Sequence, residues 1–183
     1  RDDCSSRGLG DVYKRQNAWA QFESNQVSLE EFDELFAKES KLAGHEIRGK
    51  EVISMLSGDL RPKMVELLKL CKEQYKVACI TNNVKAGRGP GMSTDDDKAS
   101  KVSKVMALFD DVIESSIEGI RKPNPEIYKL ACRRISVEPE KCLFIDDLGI
   151  NLKPAKELGM KTIKVLSEAQ ALKDICLITN INL

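Results

Sequence analysis

The stretch KCLFIDDLGIN at residues 141–151 decides the fold, because it joins a short apolar run to two acidic residues and then to a helix-like segment. A continuous apolar run of four or five residues, followed by a polar turn, is typical of a strand that is buried on both faces. A second short run, KTIKV at 161–165, follows the helix-like segment. The order strand, helix, strand is the repeating unit of a parallel sheet.

Two earlier segments repeat this pattern. KVACIT (76–81) precedes a glycine-rich polar loop and a helical pattern, and DVIESS (111–116) precedes the RKPNP turn and another helical pattern. Apolar strands that alternate with helices indicate a parallel sheet covered by helices on both faces. We therefore predict an α/β fold, a three-layer, doubly wound parallel sheet.

The chain before residue 59 reads differently. Ser28, with Glu31 three residues later, forms a capping box that opens a helix, and Gly44 supplies its stop. A second helix is predicted from Arg61-Pro62. Its predicted buried face carries three residues: Val65, Leu68 and Cys71. The predicted division is a non-native or disordered lead-in at 1–16, a partial helical cap at 17–58, and a sheet core at 59–183.

Composition excludes several classes of protein. The 183 residues include 29 basic and 29 acidic ones, so the formal net charge of +0 argues against a nucleic-acid partner held by a basic field. No run approaches the roughly 20 apolar residues that a membrane span needs. The 6 cysteines are scattered without a C-x-x-C pair, and the first residues are not a secretory signal, so we expect a cytoplasmic protein. The single histidine, His45, lies in a polar stretch without a G-x-S-x-G partner.

Polar side chains follow the predicted strands. Thr81 and Asn82 end the first apolar run, Lys122 lies in the RKPNP turn, and Asp146-Asp147 end the third run. Since the carboxyl ends of parallel strands share one edge of a sheet, these groups should meet there. A hydroxyl, an ammonium and two carboxylates suit a phosphate beside a divalent cation. Simpler interpretations remain open, namely a helix N-cap for Asp147 and a surface position for Lys122.

Order and spacing add a resemblance. ACITNN (78–83), GIRKPNPEIY (119–128) and CLFIDDLGINLKPAKELGMKTIKV (142–165) resemble the second, third and fourth motifs of the haloacid dehalogenase-like (HAD) hydrolase superfamily. They look like the phosphatase branch that includes the amino-terminal domain of soluble epoxide hydrolases and the domain preceding some acyl-CoA dehydrogenases. The resemblance implies a Rossmann-like core with a small helical cap, and a Mg²⁺-dependent phosphatase for small phosphate esters, with lipid phosphates possible among them.

The resemblance also implies roles for the phosphate-facing residues. Thr81 and Asn82 would hydrogen-bond the transferring phosphoryl oxygens and so bind the substrate. Lys122 would bind the same group and neutralise charge on it and on the nucleophile. Catalysis of phosphoryl transfer then depends mainly on positioning and charge stabilisation.

For the acidic pair, the resemblance implies a metal site. Asp147 would be the direct Mg²⁺ ligand. Asp146 would stand beside it in the metal site and in catalysis, orienting a metal-bound water or Lys122. Asn151 would support this loop.

The family's first motif, an apolar strand ending in D-x-D-G that supplies an aspartate nucleophile, has no match before the cap. Asp95–Asp97 follow no strand, and Asp2, Asp3 and Asp11 have no apolar run ahead of them. We favour the hypothesis that residues 1–16 replace a native amino terminus over the hypothesis of a natural non-catalytic relative. A chain without that strand is expected to expose unpaired strand edges and to be inactive.

Four other functions fit the sequence less well than a phosphatase. Haloacid dehalogenase chemistry needs no Mg²⁺, and an acidic pair suits a halocarboxylate poorly. A phosphoacceptor receiver places its acidic residues first and its lysine last, unlike this chain. A non-catalytic phosphate or phospholipid-binding module is supported only by the missing nucleophile. The GRGPG loop at 87–91 lacks the dinucleotide-binding spacing and is interpreted as a flexible rim of the phosphate site.

Phe32 and Phe36 of the predicted cap helix could line an apolar entrance, but a helical stripe that faces the core is favoured.

Overall fold

The structure is a computed structural model, and it describes residues 17–56, 58–85 and 96–183. The glycine-rich loop, Asp95 and the lead-in at 1–16 lie outside the described residues. No helix in the described ranges is long and apolar enough to cross a bilayer. In chain order the elements are α1 (Ala18–Glu23), α2 (Leu29–Leu42), α3 (Gly49–Met55), α4 (Pro62–Gln74), β1 (Ala78–Thr81), α5 (Asp96–Met106), β2 (Asp111–Glu114), α6 (Ser115–Glu118), α7 (Pro125–Ile135), a 3-10 turn (Pro139–Lys141), β3 (Leu143–Asp146), α8 (Gly149–Glu157), β4 (Lys161–Lys164) and α9 (Glu168–Thr179).

The four predicted strands form, each within one or two residues of its predicted bounds. They lie as two parallel pairs, β1 with β2 and β3 with β4, and within the described residues each strand has one hydrogen-bonded neighbour. Within the described residues the two pairs are not hydrogen-bonded to each other. The registers run from Ala78 opposite Asp111 to Thr81 opposite Glu114, and from Leu143 opposite Lys161 to Asp146 opposite Lys164.

Helices cover the strands on two faces, as the apolar runs predict. On β3, Phe144 packs in a cluster with Tyr128 of α7, whereas Leu143 and Ile145 pack in another with Leu67 of α4. The first cluster also contains residues of β1, β2 and α8, and the second contains residues of β4 and α9. Alternate side chains of one strand therefore enter different layers, and the predicted three-layer architecture is confirmed.

The chain before α4 forms a helical cluster of its own. Ser28 and Glu31 make the predicted capping box, and Gly44 follows the end of α2 at a φ of 109°. Phe32 is fully buried, stacked on Phe22 at a ring-centroid distance of 4.4 Å. The favoured core stripe is therefore what the structure contains, and Phe32 lines no entrance. The two short helices that flank α2, α1 and α3, were not predicted from the sequence.

The buried face of α4 was predicted wrongly at two of its three residues. Pro62 begins the helix after Arg61, as expected. However, the buried residue is Leu67, with Met64 and Cys71 packed beside it, while Val65 and Leu68 are only half-buried. The apolar residues of α4 cover more than one helical stripe, so periodicity alone did not identify the stripe that meets α9.

Candidate active site at the carboxyl ends of the strands

The predicted site residues lie where two strands end. Thr81 is the last residue of β1 and Asp146 is the last residue of β3. Lys122 lies in the loop between α6 and α7 and contacts both strand ends. The structure therefore brings the second, third and fourth sequence motifs to one edge of the fold, as the strand-end argument predicts.

Lys122 is held from two sides. The Asn82 side chain accepts a hydrogen bond from the Lys122 backbone N–H at 2.8 Å and donates one to the Lys122 carbonyl at 3.0 Å. The Lys122 ammonium donates to Asp146 Oδ2 at 2.8 Å and lies 5.8 Å from the centroid of the Phe144 ring. Only 13% of the Lys122 side chain is exposed, so Lys122 is not an ordinary surface lysine.

Asp146 is a positioned carboxylate with both oxygens in use. Its Oδ1 accepts hydrogen bonds from the Leu148 backbone N–H at 2.8 Å and from Asn151 Nδ2 at 3.0 Å. Asn151 is itself buried, and its carbonyl accepts the Tyr128 hydroxyl at 2.7 Å. Burial raises the pKa of Tyr128, and the nearby charge of Asp146 raises it further. These contacts fix the carboxylate plane that receives Lys122.

Asp147 differs from its neighbour. Its side chain is exposed, and it lines a cavity of about 590 Å³ together with Asp146, Arg61 and the first residues of α9. The proposed N-cap role does not hold for Asp147, because Leu148 is the N-cap of α8 and its amide donates to Asp146 instead. Asp147 is thus the carboxylate of the pair that the fold leaves available to a ligand.

Thr81 and Asn83 have contrasting surroundings at the end of β1. The Thr81 hydroxyl makes no hydrogen bond with any residue that the structure describes, so its proton is free to meet a ligand. Asn83 is buried and is linked to Glu114, Ser115 and Ser116 by both its backbone and its side chain. This hydrogen-bond network around Asn83 was not predicted from the sequence. Its only signal was the polar pair Ser115-Ser116 directly after an apolar strand.

A second contact missed from sequence ties the helical cluster to this site. Glu23 of α1 lies 2.5 Å from the guanidinium of Arg121, the residue before Lys122, and 8% of the Glu23 side chain is exposed. Burial raises the pKa of Glu23, and the positive charge of Arg121 opposes that shift. No spacing pattern links a helix near residue 20 to a loop near residue 121, so this pair could not be read from sequence.

The acidic side chains at this strand end decide whether a metal ion fits there. Among the described residues no group of three or more histidine, cysteine or acidic side chains forms a ready-made metal cluster. Mg²⁺ is commonly bound by one or two carboxylates, with waters and substrate phosphate oxygens completing its coordination. The exposed carboxylate of Asp147, beside the engaged Asp146, fits that sparse type of site.

Three relatives are similar to the chain in sequence. Acyl-CoA dehydrogenase family member 10 of Mus musculus is 32% identical over 163 residues, which cover 86% of this chain and 14% of that protein. Bifunctional epoxide hydrolase 2 of Mus musculus is 31% identical over 154 residues, 78% of this chain and 26% of that protein. Sesquiterpene phosphatase astK of Aspergillus oryzae is 27% identical over 158 residues, 85% of this chain and 76% of that protein. The chain thus spans only a small part of the first two.

A solved structure and a family model complete the comparison. A HAD family enzyme from Bacteroides thetaiotaomicron, in complex with magnesium and inorganic phosphate, superposes with a TM-score of 0.60 at 22% identity, covering 88% of this chain and 81% of that one. This likeness concerns the fold. The family model of the haloacid dehalogenase-like hydrolases matches residues 9–159. The chain therefore belongs to the haloacid dehalogenase-like hydrolases.

Proposed function

We propose that this chain comprises the cap and most of the core of a Mg²⁺-dependent phosphatase that acts on phosphate monoesters. The observation that carries the proposal is the double anchoring of Lys122, by the Asn82 amide on its backbone and by Asp146 on its ammonium. Such anchoring fixes a positive charge before the substrate arrives, and a preorganised charge is what phosphoryl transfer requires.

Each site residue then has a task. The Thr81 hydroxyl donates to a phosphoryl oxygen, and the Lys122 ammonium neutralises charge on the same group. Asn82 acts mainly as a positioning residue, because its amide oxygen and one amide hydrogen already bind the Lys122 backbone. Asp146 keeps the ammonium aimed at the end of the strands. Of these donors, the Lys122 ammonium is held in place before substrate binds.

Asp147 would hold the Mg²⁺ ion. A bound Mg²⁺ supplies charge neutralisation at the phosphate oxygens. Asp146 would support this site by fixing the loop, because its own oxygens are taken by Leu148, Asn151 and Lys122. The magnesium and phosphate in the related solved structure support this choice of metal.

The nucleophile would be a carboxylate at the end of a further parallel strand between β1 and β3. Both strands carry an unpaired edge within the described residues, and α7 contributes to one core cluster with both. We propose that this carboxylate lies outside the residues that the structure describes, and that the cap spans 17–58 and the core 59–183. Attack of the carboxylate on phosphorus would expel the alcohol, and water would then hydrolyse the acyl phosphate.

The proposed substrates are small phosphate esters in the cytoplasm, with lipid phosphates among them. A sesquiterpene phosphatase is one of the relatives, matching 85% of this chain. Two exposed leucines also lie near the acidic pair: Leu148 follows it directly, and Leu166 lines the same cavity as Asp147. An apolar rim of this kind would favour an ester with an apolar alcohol.

The test compares two chains. The chain as it stands should not hydrolyse p-nitrophenyl phosphate. A chain that carries the genomic sequence upstream of Asn17 should hydrolyse it, and this activity should require Mg²⁺. In the longer chain Asp147→Asn should abolish the Mg²⁺-dependent rate, whereas Lys153→Met, at an exposed position on α8, should leave it unchanged.

Three outcomes would contradict the proposal. Mg²⁺-dependent hydrolysis by the present chain, lost in Asp147→Ala, would show that the nucleophile lies within these residues. Halide release from a 2-haloacid without metal would indicate a dehalogenase. Phosphate binding without turnover by the longer chain would indicate a non-catalytic binding module.

A further inference from the structure

Two cysteine thiols touch each other at the far end of β3 from the acidic pair. Cys132 lies in α7 and is 6% exposed. Cys142 directly precedes β3, and its Sγ lies 3.8 Å from the Sγ of Cys132. No other two thiols in the described ranges lie within hydrogen-bond distance. Cys71 and Cys176, which share the opposite core cluster, provide a natural comparison.

The two sulfur atoms are close, and the backbone of Cys142 is held. Cys142 directly follows the 3-10 turn at Pro139–Lys141, where its N–H donates to the Pro139 carbonyl at 2.9 Å and its carbonyl accepts the Lys161 N–H at 3.0 Å. Its Sγ also lies 3.4 Å from the carbonyl of Glu138. A disulfide needs the two sulfur atoms at about 2.05 Å. Rotations of the two side chains would close the remaining gap between the sulfur atoms.

The two thiols are not equivalent. Burial raises the pKa of Cys132 to about 12, and the neighbouring thiol and acidic residues add to the shift. Burial also raises the pKa of Cys142, but a hydrogen bond from Cys132 opposes the rise. Cys142 is also the more exposed of the two. Its greater exposure makes Cys142 the thiol that an oxidant reaches first, and Cys132, in contact with it, is placed to react second.

We propose that Cys132 and Cys142 form a reversible oxidation site, which a hydroperoxide converts into a disulfide that ties α7 to the start of β3. In the first step the Cys142 thiolate attacks the peroxide, the O–O bond breaks, and a sulfenic acid and one water or alcohol form. In the second step Cys132 attacks that sulfur, an S–S bond forms, and water leaves. Two thiols are oxidised by two electrons, and the peroxide is reduced.

The location gives the disulfide a structural consequence. The chain enters α7 directly after the Lys122 loop, and β3 ends at Asp146. Tyr128 and Phe144 already pack between α7 and β3, with ring centroids 5.1 Å apart. A covalent link would therefore add a bond to the frame that holds Lys122 against Asp146. The inference goes beyond the proposed function and does not depend on it.

The experiment uses the full chain, purified in the reduced state and treated with hydrogen peroxide. Acid quenching and alkylation of remaining thiols, followed by peptide mapping, should recover one linked peptide pair, Cys132 with Cys142. Intact mass should fall by about 2 Da, because each disulfide removes two hydrogen atoms. The melting temperature should rise by about 5 °C and return on addition of dithiothreitol.

Matched variants keep the result interpretable. Cys71→Ser should leave the mass change and the linked peptide intact, whereas Cys132→Ser and Cys142→Ser should each abolish both. If either serine variant fails to fold, the peptide map of the unaltered chain decides alone. Recovery of Cys142 as a sulfinic acid with Cys132 still free, or of a disulfide between other cysteines, would overturn the proposal.

Discussion

The two strand pairs end in different chemistry. Beyond β1 and β2, the fully buried polar side chains are neutral: the Asn83 amide binds the Ser116 hydroxyl, and the Ser115 hydroxyl binds the Asn83 backbone, while the half-buried Glu114 accepts from Asn83. Beyond β3, the buried groups are a carboxylate and an ammonium, Asp146 and Lys122. The neutral end is satisfied internally. The charged end is also satisfied, but it leaves a further carboxylate, Asp147, in solvent beside an open cavity.

The two strand ends differ in what their buried polar groups can do besides stabilise the fold. A buried network in which every donor has an acceptor contributes to a unique fold and has no remaining capacity for a ligand. A buried ion pair gains little net stability over an apolar pair, because both charges lose their hydration. Its presence at one strand end therefore calls for a role other than stability, which agrees with the charge beside a phosphate that we propose.

The largest effect is expected from Lys122→Met, which leaves the Asp146 carboxylate buried without its cation. Only 5% of the Asp146 side chain is exposed. Removal of one partner of a buried pair should lower the free energy of unfolding by about 3 kcal/mol, measured by urea denaturation. Adding Asp146→Asn to the same chain should recover much of this loss, since the buried charge is then gone.

Lys129→Met is the matched control. Lys129 pairs with Glu126 at the same distance of 2.8 Å, but 44% and 54% of the two side chains are exposed. An exposed pair of this kind contributes less than about 0.5 kcal/mol. Equal losses for the two methionine variants would contradict the assignment of Asp146 as a buried charge held by Lys122.

The next effect tests the neutral end. Asn83→Ala should lower the free energy of unfolding by about 2 kcal/mol, because it leaves the buried Ser116 hydroxyl and the half-buried Glu114 carboxylate without their partner. Urea denaturation measures the loss, and Asn182→Ala, at an exposed position near the carboxyl terminus, serves as the control. A loss as small as that of the control would mean that water replaces the amide and that this end is not closed.

The sequence predicted the charged end better than the neutral one, for a physical reason. Acidic residues directly after an apolar run are a clear signal, because adjacent carboxylates at the end of a buried strand repel each other and need a cation nearby. Lys122 could be matched to Asp146 because parallel strands end at one edge. An asparagine such as Asn83 gives no such signal, because asparagine is ordinary at turns and its burial depends on distant residues.

Elsewhere in the chain, local signals were also predicted correctly, whereas contacts between remote residues were not. Capping chemistry located the start of α2 correctly, because Ser28 and Glu31 bind each other within four residues. The buried face of α4 depended on which helix packs against it, and this information lies a hundred residues away in α9. The contact between Glu23 and Arg121 is similarly remote in sequence.

A smaller effect is expected at the link between the two ends. Tyr128→Phe removes the hydroxyl that donates to the Asn151 carbonyl, so the free energy of unfolding should fall by about 1 kcal/mol at pH 7. The pKa of Tyr128 is raised in the folded chain. The unfolded chain therefore loses the tyrosine proton first as the pH rises, and the contribution of this hydroxyl is fully present below about pH 10 and lost above it.

Urea denaturation between pH 7 and 11 checks this dependence. The difference between the unaltered chain and Tyr128→Phe should shrink as the pH passes about 10, because the contribution of the hydroxyl is then lost. Tyr75→Phe, at a tyrosine that is 46% exposed, is the control, and its difference should stay small throughout. A difference that grows with pH would contradict the assigned direction.

The smallest effect on stability is expected at Asp147, and it is the sharpest test of the contrast. Its side chain is exposed and carries no contact that the fold needs, so Asp147→Asn should change the free energy of unfolding by less than about 0.5 kcal/mol. Removal of a like charge beside Asp146 acts in the stabilising direction.

If Asp147 holds Mg²⁺, the ion should raise the melting temperature of the unaltered chain and not that of Asp147→Asn. These two results together would separate a ligand role for Asp147 from a structural one. A large stability loss in Asp147→Asn would instead make both acidic residues structural and remove the distinction between the two strand ends.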